Sequence, residues 1–497
     1  MTFTLFFAIV ALGSWIISHN IRFLQKLTGI LALLSIAILI ISDLTSSFNI
    51  SFGLFVLAKD LLILGGVSFL LTITRNNVFA QVGLFLCCLF FLFPGKSKKD
   101  DLQSFNVDKE WELLLETSEN KFSDRLKDII EHYELEVFRF NPTNLEASDL
   151  EKVLALGIPK KHEEKARTIY SLIEQTNDVE WVEYNEKLYR ILPEPGVAIS
   201  GKTLQTVNDP LTKAQWSMQA LSMDDYYGYI RNNNIKPIKK AKLFILDTGI
   251  DAEHEDLNIS ASKKKTDDVD RRGHGTHCAG IAAASTNNGK GISSMSPGEE
   301  WLEVRGIKVF TELGITTQKR VIQGIIRAVD EGADVINMSL GARAYQSKEQ
   351  AYNEAINYAA ARGTIIIAAA GNSSDDAANY VPAKLDQVIT VSSINNKLDL
   401  SFFSNYITNV TYGVAAPGHD IMSTIPGGQY EIKSGTSMAA PHVAGLVSVM
   451  KALQPSLTIE ETYNILSITG MRSLQFQKSG PIINPPAVLE IMISTVN

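Results

Sequence analysis

The stretch Ser434–Leu446, SGTSMAAPHVAGL, decides the fold of the largest part of this chain. Gly435 gives the backbone freedom to turn, and Pro441 is tolerated only near the beginning of a helix. We therefore predict a tight turn and then a helix that begins near Ser437 and continues through Met450. Ser437 then lies at a helix N-terminus, where free N–H groups favour negative charge. This stretch alone leaves two interpretations open, a helix-capping serine and a nucleophile.

An α/β domain surrounds this stretch and begins at about residue 207. Strands that alternate with helices indicate a parallel sheet with helices on both faces, and reactive groups collect at the carboxyl ends of such strands. The predicted strands are at residues 241–246, 307–310, 335–338 and 364–368, and the predicted helices are at 317–330 and 348–361.

Four polar side chains, Asp247, His274, Asn372 and Ser437, stand at the ends of predicted elements in this domain. Each has a simpler interpretation by itself, as a cap, a turn residue or, for His274 with His277, a metal pair. No third ligand cluster accompanies the two histidines, so the pattern does not favour a metal site. Together the four supply what acyl transfer requires, namely a nucleophile, a base, a carboxylate that orients the base, and a donor for the oxyanion.

The motifs around these residues resemble those of the subtilisin-like serine proteases, or subtilases, over about residues 207–490. The motifs are DTG from Asp247, HGTHCAG from His274, AAAGN ending at Asn372 and GTSMAAPHVAG around Ser437. The resemblance implies a subtilisin-like catalytic domain over residues 207–497.

In that family Asp247 would orient His274, which acts as general base and then general acid, and Ser437 would attack the peptide carbonyl. The amide of Asn372 and the backbone N–H of Ser437 would form the oxyanion hole. No cofactor is required for this chemistry.

The resemblance also implies further binding residues. Ser339, Leu340 and Gly341 would bind an extended substrate strand. Asp256 and the loop at residues 286–292 match the region of a common subtilase calcium site, which makes a structural calcium ion an expectation. Cys278 has two interpretations, a buried apolar residue and a thiol that sensitises the site to mercury compounds.

A smaller unit precedes the catalytic domain, within residues 96–206, after a short linker. Its predicted order is β-α-β-β-α-β, with a last strand at 179–184 and a neighbouring strand at 188–192. This ferredoxin-like order and the segment VEWVEYNE, residues 179–186, resemble the inhibitory propeptide of subtilases. The resemblance implies a built-in inhibitor that is removed by self-cleavage around residues 190–208; the alternative is a permanent linker domain.

Four apolar runs occupy the beginning of the chain, at about residues 3–18, 27–41, 52–73 and 78–93. Each is near the length that crosses a bilayer, and the first lacks the features of a cleaved signal peptide. We therefore predict an α-helical multi-span membrane region of about four helices over residues 1–95. The loop charges are balanced between the two sides and do not indicate an orientation.

Charge and cysteine content exclude other classes of protein. The net charge is −8 without a large basic block, so a nucleic-acid partner is not expected. The three cysteines form neither a disulfide framework nor a zinc-ligand spacing.

The resulting hypothesis is a membrane-anchored, self-processed serine endopeptidase that acts on proteins or peptides. It would be a multi-pass protein of the cell membrane, with an extracytoplasmic catalytic domain. Two alternatives are a catalytically quiet membrane scaffold or sensor of the same fold and an esterase. The filled triad positions argue against the first, and the strand-binding segment from Ser339 to Gly341 argues against the second.

Overall fold

The computed structural model describes residues 113–119, 122–143, 149–185, 187–189, 194–195, 204–344 and 349–494. The chain divides into two compact units, Met1–Asn106 and Val107–Asn497, and the second contains all of the described residues. The predicted membrane region, residues 1–95, lies outside the described residues. Within those residues, no helix combines the length and the apolarity that crossing a bilayer requires.

The first part of the second unit is a four-stranded antiparallel sheet with two helices. The strands lie in the order β2-β3-β1-β4, and each neighbouring pair is antiparallel. The chain order is the predicted β-α-β-β-α-β. The elements are β1 (Leu113–Thr117), α1 (Asp124–His132), β2 (Glu136–Arg139), β3 (Val153–Gly157), α2 (Ala166–Glu174) and β4 (Val179–Tyr184).

Both faces of this small sheet pack against apolar cores. Alternate side chains of one strand point to opposite faces and so enter different cores. Leu113 and Leu115 of β1 pack in a core with α1 and α2. Leu114, which lies between them, belongs to a core shared with the larger domain, as do Val153 and Ala155 of β3. The sheet therefore joins its own helices to the larger domain.

The larger domain contains a six-stranded sheet in the order β15-β14-β12-β10-β7-β8, and every pair in it is parallel. Two short strands precede this domain in the chain, β5 (Lys187–Tyr189) and β6 (Glu194–Pro195). The elements from there to the middle of the sheet are α3 (Trp216–Ala220), α4 (Met223–Asn232), β7 (Ala241–Asp247), α5 (His274–Ala283), β8 (Leu302–Lys308), β9 (Ile315–Thr317), α6 (Gln318–Asp330), β10 (Val335–Met338), β11 (Ala342–Arg343) and α7 (Gln350–Ala361). The remaining elements are β12 (Ile365–Ala369), β13 (Tyr380–Val381), β14 (Val388–Ile394), β15 (Tyr412–Pro417), β16 (Ile421–Ile425), β17 (Gln429–Ser434), α8 (Thr436–Leu453), α9 (Ile459–Thr469), α10 (Phe476–Ser479) and α11 (Pro485–Ser494).

Helices cover both faces of the parallel sheet, which confirms the predicted α/β architecture. Helices α5 and α8 pack in the core on one face, and α6 and α7 pack in the core on the other. The predicted strand at residues 307–310 is misplaced, because β8 begins at Leu302. Its first residues include Glu303 and Arg305, which form an ion pair at this sheet edge and hide the apolar pattern of the strand.

Two strand pairs connect the small unit to the larger domain. Strand β5 pairs antiparallel with β9, and β6 pairs antiparallel with β17. The predicted strand at residues 188–192 is confirmed over residues 188–189, where its partner is β9 and not β4, and residues 190–192 lie outside the described residues. An apolar alternation identifies a strand but carries no information about the distant edge with which it pairs.

Helix α8 is buried along its whole length. It begins at Thr436, one residue before the predicted start, and Pro441 therefore lies in its second turn. A small residue, Gly445, lets this helix pack closely against α5. A Cβ atom at Gly445 would lie 2.6 Å from Met295 Cβ and 2.7 Å from the carbonyl oxygen of Ala282.

Two glycine-to-alanine substitutions test this close approach. In a helix interior alanine is favoured over glycine by about 1 kcal/mol, and Gly228 in α4 has room for a methyl group, with its nearest neighbour 3.8 Å away. Gly228→Ala should therefore raise the free energy of unfolding. Gly445→Ala should lower it by about 1–3 kcal/mol, because a methyl group overpacks that contact. Urea unfolding measures both, and a Gly445→Ala variant as stable as the parent would contradict the packing described.

Candidate active site

Strand β7, an interior strand between β10 and the edge strand β8, ends at Asp247, and the carboxylate of Asp247 is fully buried. A buried charge is costly unless it is paired and hydrogen-bonded. Both carboxylate oxygens lie 2.8 Å from His274 Nδ1, and Oδ1 also accepts a hydrogen bond of 2.7 Å from the backbone N–H of Thr248. The carboxylate therefore fixes the ring of His274 at the strand end.

His274 is the first residue of α5 and is fully buried. Because Nδ1 keeps its proton and donates a hydrogen bond to Asp247, the other ring nitrogen, Nε2, is an acceptor. Nε2 has no hydrogen-bond partner among the described residues. The ring is thus an oriented base with a free acceptor nitrogen.

Ser437 is the second residue of α8, and two hydrogen bonds join it to Ser339. Ser437 Oγ donates a hydrogen bond of 3.2 Å to the carbonyl oxygen of Ser339. Ser339 Oγ in turn donates one of 2.8 Å to the carbonyl oxygen of Ser437. That carbonyl lacks its usual helical donor, because the residue four positions later is Pro441, which has no N–H. A thiol, Cys278 Sγ, is a second donor to it, at 3.4 Å.

Cys278 connects the serine to the Asp–His pair. Ligand-type atoms of Asp247, His274 and Cys278 all lie within 4.8 Å of one another, and the same thiol contacts Ser437. The structure therefore brings Asp247, His274 and Ser437 together. The Ser437 hydroxyl is directed to Ser339 and not to His274 Nε2.

Asn372 follows β12, and Thr436 fixes the orientation of its amide. Asn372 Oδ1 accepts hydrogen bonds from the backbone N–H of Thr436, at 2.9 Å, and from Thr436 Oγ1, at 2.8 Å. Thr436 Oγ1 accepts one of 3.1 Å from the N–H of Gly371. Because Oδ1 accepts both of these hydrogen bonds, the amide nitrogen Nδ2 is left to donate to another group, and it lies beside the turn at Gly435. Sequence reasoning missed Thr436, although it stands directly before the serine.

The predicted substrate-binding residues Ser339, Leu340 and Gly341 follow β10 and are buried. Asn337 Nδ2 donates a hydrogen bond of 3.0 Å to Ser339 Oγ and so extends the polar chain behind Ser437. Gly341 lies against a neighbouring backbone, since a Cβ atom there would be 3.0 Å from the carbonyl oxygen of Val381.

The two short strands that follow the small unit pair with two elements of the larger domain. Strand β5 lies along β9, and β6 pairs with Lys433 and Ser434 at the end of β17. Ser434 is three residues before Ser437. Residues 190–193 connect β5 to β6 in the sequence.

The other two histidines near the site are held by backbone oxygens. His277 Nε2 lies 3.0 Å from the carbonyl oxygen of Glu431, and His442 Nδ1 lies 2.9 Å from that of Met438. Burial holds the pKa of His277 well below its usual range and lowers the pKa of His442 to about 4. Both rings are therefore neutral at physiological pH and serve as packing and hydrogen-bonding groups.

Asp256 is the residue for which a calcium site is predicted, and it binds the loop at residues 286–292. Its oxygens accept hydrogen bonds from Asn288 Nδ2 and from the N–H of Ile292, both at 2.9 Å. A second buried carboxylate, Asp209, accepts from the backbone N–H groups of Asn287, at 2.8 Å, and Asn288, at 3.0 Å.

Burial is the main cause that raises the pKa of Asp256 to about 6, and the charge of Asp209 adds to it. Two buried carboxylates that both contact Asn288 supply oxygen ligands of the kind that calcium prefers. Sequence reasoning missed Asp209, because the turn Asn208-Asp209-Pro210 has no periodic pattern that links it to the loop.

Comparison with known proteins decides the family. Residues 239–479 match the subtilase family, peptidase S8. The chain is 40% identical over 240 residues to a thermophilic serine proteinase of Bacillus sp. strain AK1, and this match covers 46% of the chain and 58% of that relative. It is 42% identical over 242 residues to thermitase of Thermoactinomyces vulgaris, covering 46% of the chain and 83% of thermitase. The chain belongs to the subtilase family. It is therefore a serine-type endopeptidase.

A solved structure shares the fold over a longer region. The epidermin leader peptide processing serine protease of Staphylococcus aureus aligns with 77% of this subtilase and 98% of its own chain. The TM-score is 0.57 at 22% sequence identity. The aligned share exceeds the region of the family match, so the likeness in fold is not confined to that region.

Proposed function

We propose that this subtilase hydrolyses peptide bonds through an acyl-enzyme, with Asp247, His274 and Ser437 as its catalytic triad. The observation that carries the proposal is the buried Asp247–His274 pair, with a free acceptor nitrogen, beside a serine at a helix N-terminus. Asn372, whose amide nitrogen is free, is the proposed side-chain donor of the oxyanion hole. Ser339, Leu340 and Gly341 are proposed to bind the substrate backbone.

The chemistry follows from the positions of these groups. His274 Nε2 accepts the proton of Ser437 Oγ as that oxygen bonds to the peptide carbonyl carbon. The carbonyl oxygen becomes an oxyanion and accepts hydrogen bonds from Asn372 Nδ2 and the Ser437 N–H. When the C–N bond breaks, His274 transfers the proton to the leaving amine, and water then releases the acyl group by the same steps. Ser437 Oγ has to turn from the Ser339 carbonyl before the first step.

Substitutions in the triad and the oxyanion hole test these roles. Ser437→Ala should abolish both peptidase activity and labelling by a fluorophosphonate probe, because the nucleophilic oxygen is gone. Asn372→Ala should lower kcat by about 10²–10³-fold, the loss known for such a donor in subtilisin itself, with a smaller change in KM.

The matched control is Ser448→Ala, which removes a buried hydroxyl bonded within the same helix. This variant should label like the parent. A parent chain that neither labels nor cleaves peptides would instead favour the alternative, a catalytically quiet scaffold or sensor.

We further propose that the small unit is an inhibitory propeptide and that self-cleavage removes it. Strand β5 is added to β9 as an extended peptide would be, in the manner of β-strand addition. Strand β6 pairs with Lys433 and Ser434, close to Ser437 in the chain, and this favours cleavage between β5 and β6, within residues 190–193. Processing that depends on Ser437 supports this proposal, and normal processing of Ser437→Ala would assign the cleavage to another protease.

Glu183 carries much of the proposed inhibitory contact. This buried side chain of β4 accepts hydrogen bonds from Gln318 Nε2, at 2.7 Å, and from the N–H groups of Gln350, at 3.2 Å, and Ala351, at 3.3 Å. A single carboxylate thus meets the N-termini of α6 and α7, where negative charge is favoured.

Replacing Glu183 tests the inhibitory contact. Hydrogen bonds to charged groups are worth about 1.5–3 kcal/mol, so Glu183→Ala should weaken inhibition by about 10–100-fold. Peptidase activity should then appear earlier after purification of the full chain. Glu180→Ala, on an exposed position of the same strand, is the control. Equal activity in the two variants would contradict an inhibitory contact at Glu183.

We propose that Asp209, Asp256 and Asn288 hold a structural calcium ion. The ion would neutralise the two buried carboxylates and fix the loop at residues 286–292; catalysis does not use it. Because burial raises the pKa of Asp256 to about 6, the folded state disfavours its charged form, and without calcium this costs stability above about pH 6. A proton and a calcium ion then compete for the same carboxylate.

This competition gives a pH-dependent effect of calcium. The midpoint of thermal unfolding, Tm, should be higher in calcium than in EGTA at neutral pH, and the difference should shrink as the pH falls below about 6. Asp209→Asn should remove the difference. Glu255→Gln should retain it, because Glu255 is an exposed neighbour of Asp256 that pairs with Lys290. A calcium effect that Asp209→Asn leaves intact would place the ion elsewhere.

We also propose that the apolar runs within residues 1–95 anchor the chain in the cell membrane, with the catalytic domain extracytoplasmic. The support is the length of the four runs, which have almost no polar face; Lys59 and Asp60 in the third run are the charged exceptions. Reporter fusions after Gly95 distinguish the two sides, and activity of a cytoplasmic reporter would reverse the orientation. After self-cleavage, contact with the propeptide would be the remaining link to the anchor.

A further inference from the structure

Helix α5 begins with His274 but has no capping side chain of its own. The first N–H groups of a helix lack intrahelical acceptors, and Gly273, at the N-cap position with φ of 75°, offers no side-chain oxygen. The chain therefore has to satisfy these N–H groups from elsewhere, at the point where the base of the triad is attached.

Asp270 supplies acceptors on both sides of His274. Its Oδ1 accepts hydrogen bonds from the N–H groups of Arg272 and Gly273, both at 2.9 Å. Its Oδ2 accepts from the N–H of Thr276, at 3.0 Å, and from Thr276 Oγ1, at 2.8 Å. The residue is 4% exposed. One buried carboxylate thus holds the backbone on both sides of His274.

The same network ties the helix start to the loop that follows Asp247. Thr276 Oγ1 accepts a hydrogen bond of 3.0 Å from the N–H of Asp251, and Thr248 Oγ1 accepts one of 3.0 Å from the N–H of Gly275. Asp247 therefore fixes the imidazole ring, while Asp270 and Thr248 fix the backbone from which the ring extends.

We propose that Asp270 is a positioning residue for catalysis. It holds the first turn of α5 so that the free Nε2 of His274 remains in line with Ser437. The inference rests on the proposed catalytic roles of those two residues. A displacement of about 1 Å at a reacting group lowers rates by about 10²-fold, so small movements of this turn are costly.

Asp267 provides a matched control in the same loop. It is also a buried carboxylate, and it accepts hydrogen bonds from the N–H of Lys308, at 3.0 Å, and from Ser262 Oγ, at 2.9 Å. These partners lie outside α5. Asparagine at either position replaces one acceptor oxygen by a donor and lowers stability, but only at position 270 does it disturb the helix that carries His274.

The experiment measures kcat and KM for a chromogenic peptide, together with Tm, on the full chain after its processing is complete, with the active sites counted by fluorophosphonate labelling. Asp270→Asn should lower kcat by about 10–100-fold with KM little changed, whereas Asp267→Asn should retain kcat at a comparable loss of Tm. Thr276→Val should also lower kcat, and Thr276→Ser, which keeps the hydroxyl, should restore it.

Equal effects of Asp267→Asn and Asp270→Asn on kcat would overturn the positioning role, as would an unchanged kcat in Asp270→Asn. If Asp270→Asn does not fold, the Thr276 pair decides, and equal kcat in Thr276→Val and Thr276→Ser would reject the proposal. An inactive parent chain would refute the proposed triad itself.

Discussion

The buried carboxylate of Asp247 imposes the constraint on which the rest of the catalytic domain depends. A charge at the end of a central strand, out of contact with water, needs donors on every side. It finds them in His274 and in the N–H of Thr248. The start of α5 therefore has to lie against the end of β7, and the loop between them has to hold it there, which explains the acceptors that Asp270 and Thr248 provide.

The catalytic domain also requires the backbones of α5 and α8 to approach each other closely. Helix α8 brings Ser437 to the same sheet edge only because small residues let it pack against α5, as at Gly445. Pro441 has a further effect, since its missing N–H leaves the Ser437 carbonyl to Ser339 and Cys278. Pro441 thus leaves the Ser437 carbonyl free to accept hydrogen bonds from the segment after β10 and from α5.

The small unit and the strands that follow it contact the catalytic domain through backbone pairing and charge. Strand β5 pairs with β9, and Glu183 accepts hydrogen bonds from groups at the start of α6 and α7. The shared core around Leu114 adds apolar contact to these polar ones. The inhibitory role proposed above rests on these contacts.

The sequence by itself determined the alternation of strands and helices, the β-α-β-β-α-β order of the small unit, and the identity of Asp247, His274, Asn372 and Ser437 as the residues to place together. Local periodicity and short motifs carry this information, because each reports a face or a turn within a few residues. Tertiary structure decided what depends on distant partners: the pairing of β5 with β9, and the hydrogen bonds that Asp209, Glu183 and Asp270 accept. A carboxylate in a loop has no signature in the chain, since its function is set by the donors that folding brings within about 3 Å of it.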